Sequence, residues 1–273
     1  MRPQDAIVGW DDELNAELYD RFTRQHPLYA DTSRDLVSRA DLTDKRLIVD
    51  LCAGTGVTAA IALEAMPIDG RVICVDSAKA MQTVGRRTLN DPRITWITAR
   101  AEDVSDHITA TVDAVVCNSA IWKTNTPATF AAVKRILRPG GRFVFNIGGG
   151  FADLSDPDDR ARTTPSLTDL ITAIAVLDYG YVPRRREDPG PVLTPATVKT
   201  QLVAGGFTVL AQDTVTRTST VEEKRAWLSI PLFARPSGQL THAQRMEILH
   251  EAFSRVDQTQ VSATTWLVVV AQA

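Results

Sequence analysis

The stretch LIVDLCAGTGVTAA, from Leu47 to Ala60, constrains this chain more than any other. An apolar run ends in Asp50, turns through Gly54 and Gly56, and enters a small-residue segment. A buried strand passes into a helix in this way when something is held close to the backbone between them. The alternation continues to about residue 150. RLIVDL is followed by VTAAIALEAM, RVICVD by AKAMQTVGRRTL, RITWITA by a short acidic turn, and VDAVVCN by PATFAAVKRIL, after which RPGG turns into RFVFNIG. Strand runs without polar alternation, separated by helices, predict a parallel sheet covered on both faces. The expected fold is α/β, a doubly wound, mostly parallel sheet.

Three segments lie outside that core. In DDELNAELYDRFTRQH, Leu14, Leu18, Phe22 and His26 recur every four residues, a stripe on one helical face ahead of the first strand. The segment from Phe151 to Pro195 is too long for a simple connection and contains the helical pattern SLTDLITAIAVLDYGY. The third, between FTVLAQDTV and the last strand TTWLVVVAQ, holds VEEKRAWLSI and THAQRMEILHEAFSRV. The expected organisation is an N-terminal helical lid (1–40), a cofactor-binding core (41–150), a cap insertion (151–195) and a C-terminal part of the sheet (196–273). That last part carries a second helical insertion at about 215–258.

Thirty basic and thirty-three acidic side chains give a net charge of -3, which supplies no footprint for nucleic acid or an anionic membrane. No apolar run approaches the roughly 18 residues of a membrane span. The start MRPQDAIVGWDDELN lacks the pattern of a signal peptide. The expected protein is cytoplasmic, a monomer or homodimer, with a small-molecule partner. Cys52, Cys74 and Cys117 are odd in number, widely spaced and in or beside strands, so they are expected as small buried hydrophobes. His242 and His250 are eight apart with no acidic companion at metal spacing, and no metal site is expected.

Gly54, Gly56 and Ala59 match G-x-G-x-x-G/A, and Asp76 follows Gly56 by twenty residues. Asp50 argues against a dinucleotide, because a carboxylate there would repel the pyrophosphate that such a turn cradles. A zwitterionic amino acid fits better: its carboxylate suits the N–H groups at a helix start, and its ammonium wants a nearby acid. S-adenosylmethionine carries such a group. VDLCAGTG with VICVDSAKAM, ARAEDV, DAVVCNSAIW and LRPGGRFVF resembles the ordered motif series of the class I S-adenosylmethionine-dependent methyltransferases over about residues 45 to 150.

The resemblance implies a seven-stranded Rossmann-like methyltransferase fold and S-adenosyl-L-methionine as cofactor, with S-adenosyl-L-homocysteine as product. By it, Asp50, Ala53, Gly54, Thr55 and Gly56 line the methionine end, and Asp76 takes the ribose hydroxyls. Ser77 and Met81 flank ribose and adenine. Ala101, Glu102 and Asp103 meet adenine, with either acid taking its amino group. Asn118 and Ser119 close the pocket, and Tyr29 reaches it from the N-terminal segment that the family folds over the cofactor. The insertions resemble those of bacterial small-molecule methyltransferases, including quinone C-methyltransferases and enzymes that tailor secondary metabolites.

Methyl transfer from a sulfonium is an in-line displacement with a neutral leaving group, so it requires positioning and no dedicated nucleophile. An oxygen or carbon acceptor needs a base where a neutral amine does not. His26 and Tyr29 are the catalytic candidates. Trp122, Tyr179, Tyr181, Trp227 and Phe233 are the candidates for acceptor contact, while PRRRED at 183–188 offers charge to an anionic acceptor. CNSAIW lacks the Asn-Pro-Pro-aromatic turn of enzymes that methylate nucleobase or glutamine amino groups. The expected reaction is methylation of an O, N or C atom of a small molecule, a secondary metabolite. The alternative is a cyclisation or rearrangement by a protein of the same fold that keeps S-adenosylmethionine bound.

Overall fold

The computed structural model describes residues 9–154, 164–183 and 193–273. The apolar runs become β1 (Leu47–Leu51), β2 (Arg71–Asp76), β3 (Ile94–Thr98), β4 (Val112–Cys117) and β5 (Leu137–Gly148), followed by β6 (Thr208–Thr220) and β7 (Val261–Gln272). They form one seven-stranded sheet in the order β3-β2-β1-β4-β5-β7-β6. The first five strands pair in parallel, and β7 runs antiparallel to β5. This is the mostly parallel, doubly wound sheet the sequence predicts.

Alternation along each strand divides the core into two layers. Val49, Leu51, Val115, Cys117, Phe143 and Phe145 face one layer; Ile48, Val72, Cys74, Ala114, Val116 and Val144 face the other. The first layer is covered by a helix at Thr126–Ile136, through Phe130, Val133 and Ile136, and by one at Pro195–Ala204. The second is covered by helices at Leu28–Ala40 and Val57–Ala65. Within the first layer Phe130, Phe143 and Phe145 meet with ring centroids 4.8–5.7 Å apart, spacing at which aromatic pairs attract beyond their buried area.

In chain order, the helices that matter here are α1 (Glu13–Gln25), α2 (Leu28–Ala40), α3 (Val57–Ala65) and α4 (Lys79–Thr88). Strand order reverses between β1 and β4, and the crevice beyond their carboxyl ends is where such sheets bind ligands. One close approach fixes that end. A Cβ on Gly85 of α4 would lie 2.4 Å from the Trp96 ring and 3.0 Å from the Thr55 carbonyl oxygen. Gly85→Ala is therefore expected to lower stability by about 1–3 kcal/mol through overpacking, although alanine is the better helix former by about 1 kcal/mol. The thermal midpoint checks this; an unchanged or raised midpoint would mean that Trp96 yields freely.

The chain divides into two compact units. One contains β1 to β5 with their helices, 190–215 and 265–273; the other is made of 155–189 and 216–264. In the second unit the predicted helices appear at Leu167–Tyr179, Val221–Leu228 and His242–Arg255. The first and last of these start in capping boxes, Ser166 with Asp169 and Thr241 with Gln244. Leu167, Ile171 and Ile174 pack there with Leu228, Ile248 and Leu249. Of PRRRED, only Pro183 lies within the described residues. Among the described residues, no helix is long and apolar enough to cross a membrane.

Candidate functional site

The end of β1 carries the group that organises the site. Asp50 is 1% exposed, and its Oδ2 has no hydrogen-bond partner. Burial pushes its pKa up to about 8; the Ala59 N–H opposes the shift and the nearby Asp76 adds to it. Asp76, at the end of β2, accepts from the Gly54 N–H through Oδ2 and from the Ala78 N–H through Oδ1, both at 2.8 Å. Burial raises this pKa too, and those N–H groups work against it. Each oxygen keeps a lone pair for another donor. Gln82 steadies the strand end by donating to the carbonyls of Asp76 and Ile97 at 2.8 and 2.7 Å.

Between the two acids runs the glycine turn. Gly54 has φ +56°, and a Cβ there would meet only Tyr19, at 3.7 Å. Ala53 donates to the Val75 carbonyl at 3.0 Å, tying the turn to β2. Thr55 is buried, and Gly56 leads into α3. A buried acid with one unpartnered oxygen, an open glycine and a second acid with spare lone pairs fit the ammonium, the close-lying methionine chain and the ribose of S-adenosylmethionine respectively.

The remaining predicted residues divide into two groups. Met81 is buried with Ala16, Ala78, Val84, Trp10 and Tyr19, and Ala101 is buried while Ser77 is half-buried. Glu102 accepts from the Asn125 N–H at 2.7 Å and from Arg100 at 3.4 Å, whereas Asp103 is exposed. Asn118 is fully used within the protein. Its amide donates to Ser33 Oγ at 2.9 Å and Thr32 Oγ1 at 3.1 Å, and its carbonyl accepts from Asn146 and Ser119 at 2.9 Å. Its side chain thus fastens α2 to the end of β4, and Ser119 follows at φ +59°.

The N-terminal helix sits differently from the predicted stripe. It buries Asn15, Ala16, Asp20, Phe22 and Thr23, while Leu14 is 55% exposed. A four-residue repeat drifts around a helix of 3.6 residues per turn, and polar anchors decide the face. Asp20 accepts from Thr88 Oγ1 at 3.3 Å, Glu17 pairs with Arg87 at 2.6 Å, and Asp11 accepts from the Ala80 N–H at 2.9 Å. This rotation brings in Tyr19, which the stripe missed. Its ring meets Trp10 at 5.4 Å and Tyr29 at 5.1 Å. Burial, then Tyr29, Asp76 and Asp50, hold its hydroxyl well above the usual phenol pKa. Tyr29 is buried in α2, and His26 stacks on Phe22 at 4.8 Å.

Trp122 lies in the unit that holds Asp50 and Asp76, stacked on Phe151 at 4.7 Å. Tyr179, Tyr181, Trp227 and Phe233 belong to the other unit. There Tyr179 donates to Glu247 at 3.0 Å, Trp227 stacks on Phe233 at 4.0 Å, and Tyr179, Tyr181 and Trp227 pack against the helical core. Cys74 and Cys117 are buried and Cys52 half-buried, all free thiols. Among the described residues, no group of three or more metal-ligating side chains converges. Sequence reasoning also missed Lys123, which follows Trp122; a lone lysine carries no motif signal.

Residues 48–141 match the family described as "Methyltransferase domain". A trans-aconitate 2-methyltransferase of Azoarcus sp. is 32% identical over 158 residues, 57% of this chain and 56% of that protein. A demethylmenaquinone methyltransferase of Symbiobacterium thermophilum is 30% identical over 115 residues, 41% of this chain and 46% of that protein. The chain thus spans about half the length of these relatives. A solved geranyl diphosphate methyltransferase in complex with SAM shares the fold, with a TM-score of 0.53 at 14% identity over 94% of this chain and 89% of that one. Together with the strand order and the acids flanking the glycine turn, the family match marks residues 48–141 as a methyltransferase domain of the class I S-adenosylmethionine-dependent kind, with S-adenosylmethionine as its cofactor.

Proposed function

We propose that this protein transfers a methyl group from S-adenosylmethionine to an O, N or C atom of a small molecule of secondary metabolism and releases S-adenosylhomocysteine. The observation that carries the reading is the buried, unpartnered Asp50 Oδ2 at the mouth of the glycine turn. The relatives support a small acceptor, since trans-aconitate and demethylmenaquinone both name one. The cofactor, when bound, supplies a methyl carbon activated by the sulfonium.

The chain's own residues bind and orient. Asp50 takes the ammonium, the N-terminal end of α3 after Gly56 favours the carboxylate, and Asp76 fixes the ribose through its spare lone pairs. Met81, Ser77, Ala101 and Glu102 form the adenine side. The Tyr19 ring lies beside Gly54 and packs edge-on against that of Tyr29, which supports residues 1–40 as a lid that excludes water from the charged centre. His26 and Tyr29 are the groups on that lid suited to taking an acceptor proton, and the segments 151–195 and 215–258 are the cap. The acceptor is neither nucleic acid nor membrane, the protein is cytoplasmic, and it acts as a monomer or homodimer.

Calorimetry with S-adenosylmethionine and with a nicotinamide dinucleotide tests the cofactor, and S-adenosylhomocysteine release in the presence of acceptors tests the reaction. Binding of S-adenosylmethionine with product release upon adding acceptor is expected. Conversion of an acceptor without S-adenosylhomocysteine would replace methyl transfer by cyclisation or rearrangement.

A further inference from the structure

Lys123 closes the short helical turn Ile121–Lys123 after β4. Its ammonium lies 4.1 Å from the centroid of the Trp10 ring and 5.8 Å from that of Trp122. It makes no ion pair or hydrogen bond to a described residue. The groups facing it are Asp76 of β2, Cys52 of the glycine turn and Cys117 of β4. Asp76 is the one acid among them, and it already accepts the N–H groups of Gly54 and Ala78. Burial pushes the Lys123 pKa down to about 8, against those three neighbours. A lysine so placed has one carboxylate, Asp76, within electrostatic reach but no ion pair to it, and aromatic faces compensate only part of its desolvation.

A second donor stands nearby without an acceptor. Trp266 is 7% exposed, its ring lies 6.4 Å from that of Trp122, and its indole N–H has no partner. Phe151 stacks on Trp122 at 4.7 Å. Around Trp122, then, the protein offers a cation, a neutral donor and flat apolar walls. We propose that Lys123 recognises the acceptor, and that the molecule methylated here is a carboxylic acid whose carboxylate takes the Lys123 ammonium while its body lies against Trp122. This rests on the methyltransferase reading. One cation and one neutral donor match a planar monoanion. A phosphate dianion is normally met by several cations or a nest of backbone N–H groups.

The proposal supplies a direct ion pair to a cation that Asp76 reaches only through its field. An anion beside Lys123 raises its pKa and keeps the ammonium charged through neutral pH. It also gives the Trp10 and Lys123 contact a role in the empty site, holding the ammonium until the acceptor replaces water around it.

The test is equilibrium binding of succinate, citrate, benzoate and cinnamate, and of their amides, to the protein loaded with S-adenosylhomocysteine, followed by turnover. Wild type is expected to bind at least one acid tenfold or more tighter than its amide. Lys123→Met should weaken that acid at least tenfold, Lys123→Arg should restore most of the loss, and any change in affinity for S-adenosylmethionine should be several-fold smaller than the loss of acid affinity. Because the cation is present below about pH 8 and lost above it, acid affinity should hold from pH 6 to 7 and fall beyond 8 in wild type alone. Three outcomes would overturn the proposal: amides or phosphorylated compounds bound in preference to every acid, acid affinity unchanged in Lys123→Met, or a loss of cofactor affinity in that variant as large as its loss of acid affinity. Acid binding that depends on Lys123 without S-adenosylhomocysteine release would uphold the carboxylate site and instead sink the methyl-transfer reading.

Discussion

Asp76→Ala is expected to weaken S-adenosylmethionine binding by roughly 2–4 kcal/mol, about 30- to 1000-fold, because charge-assisted hydrogen bonds to two ribose hydroxyls disappear together. The structure adds a cost in the free protein. The same carboxylate accepts the Gly54 and Ala78 N–H groups at 2.8 Å, and alanine leaves both donors without it, at about 1–3 kcal/mol for each that stays dry. The thermal midpoint should therefore fall along with affinity. Asp76→Asn separates the two effects. Its single carbonyl oxygen keeps one of the N–H contacts but meets the other with an NH₂ group, so it should retain more fold stability than alanine while still binding the cofactor weakly. Calorimetry on both variants decides the matter. Affinity unchanged in Asp76→Ala would remove the ribose role.

The sheet was legible in the sequence because strands buried on both faces leave continuous apolar runs, and RLIVDL, RVICVD and VDAVVCN have no other comfortable fate. The glycine turn was legible for a related reason. An acid at a strand end followed by glycines is costly unless something binds there, and the structure buries Asp50 beside the turn at Gly54 as that pattern implies. The N-terminal helix was only half legible. Periodicity marks Leu14, Leu18, Phe22 and His26 as one stripe, but the helix is turned by ion pairs and hydrogen bonds from Asp11, Glu17 and Asp20 to α4. Those partners are some 70 residues away in sequence. Tyr19 and Trp10 consequently face the site and Leu14 faces solvent. Asn118 shows the converse. Its place after β4 was plain, yet its hydrogen bonds go to Ser33, Thr32 and Asn146, partners that no local pattern reveals.

Cofactor affinity should itself depend on pH through Asp50. In the empty site this carboxyl is raised to about 8 by burial, so near pH 7 it is mostly protonated. The ammonium of S-adenosylmethionine favours the carboxylate and lowers the pKa of the bound form. Binding below about pH 8 must then expel a proton. The sign follows from mass action: between the bound and free pKa values, each unit of rising pH strengthens binding up to tenfold, about 1.4 kcal/mol. From pH 6 to 8 the gain is roughly 25- to 50-fold if the bound pKa is well below 6, because at pH 8 about half of free Asp50 is still protonated and part of the ligand's ammonium is already lost. Above 8 the gain stops, and affinity declines as the ligand's own α-amino group, near about 8, gives up the charge that Asp50 reads. Calorimetry in two buffers of different ionisation enthalpy should register close to one proton released at pH 7. Asp50→Asn cannot titrate, and should bind weakly with no rise between pH 6 and 8. A flat wild-type profile over that interval would show that Asp50 is already ionised in the free protein, and that its buried oxygen is met by something other than the cofactor's ammonium.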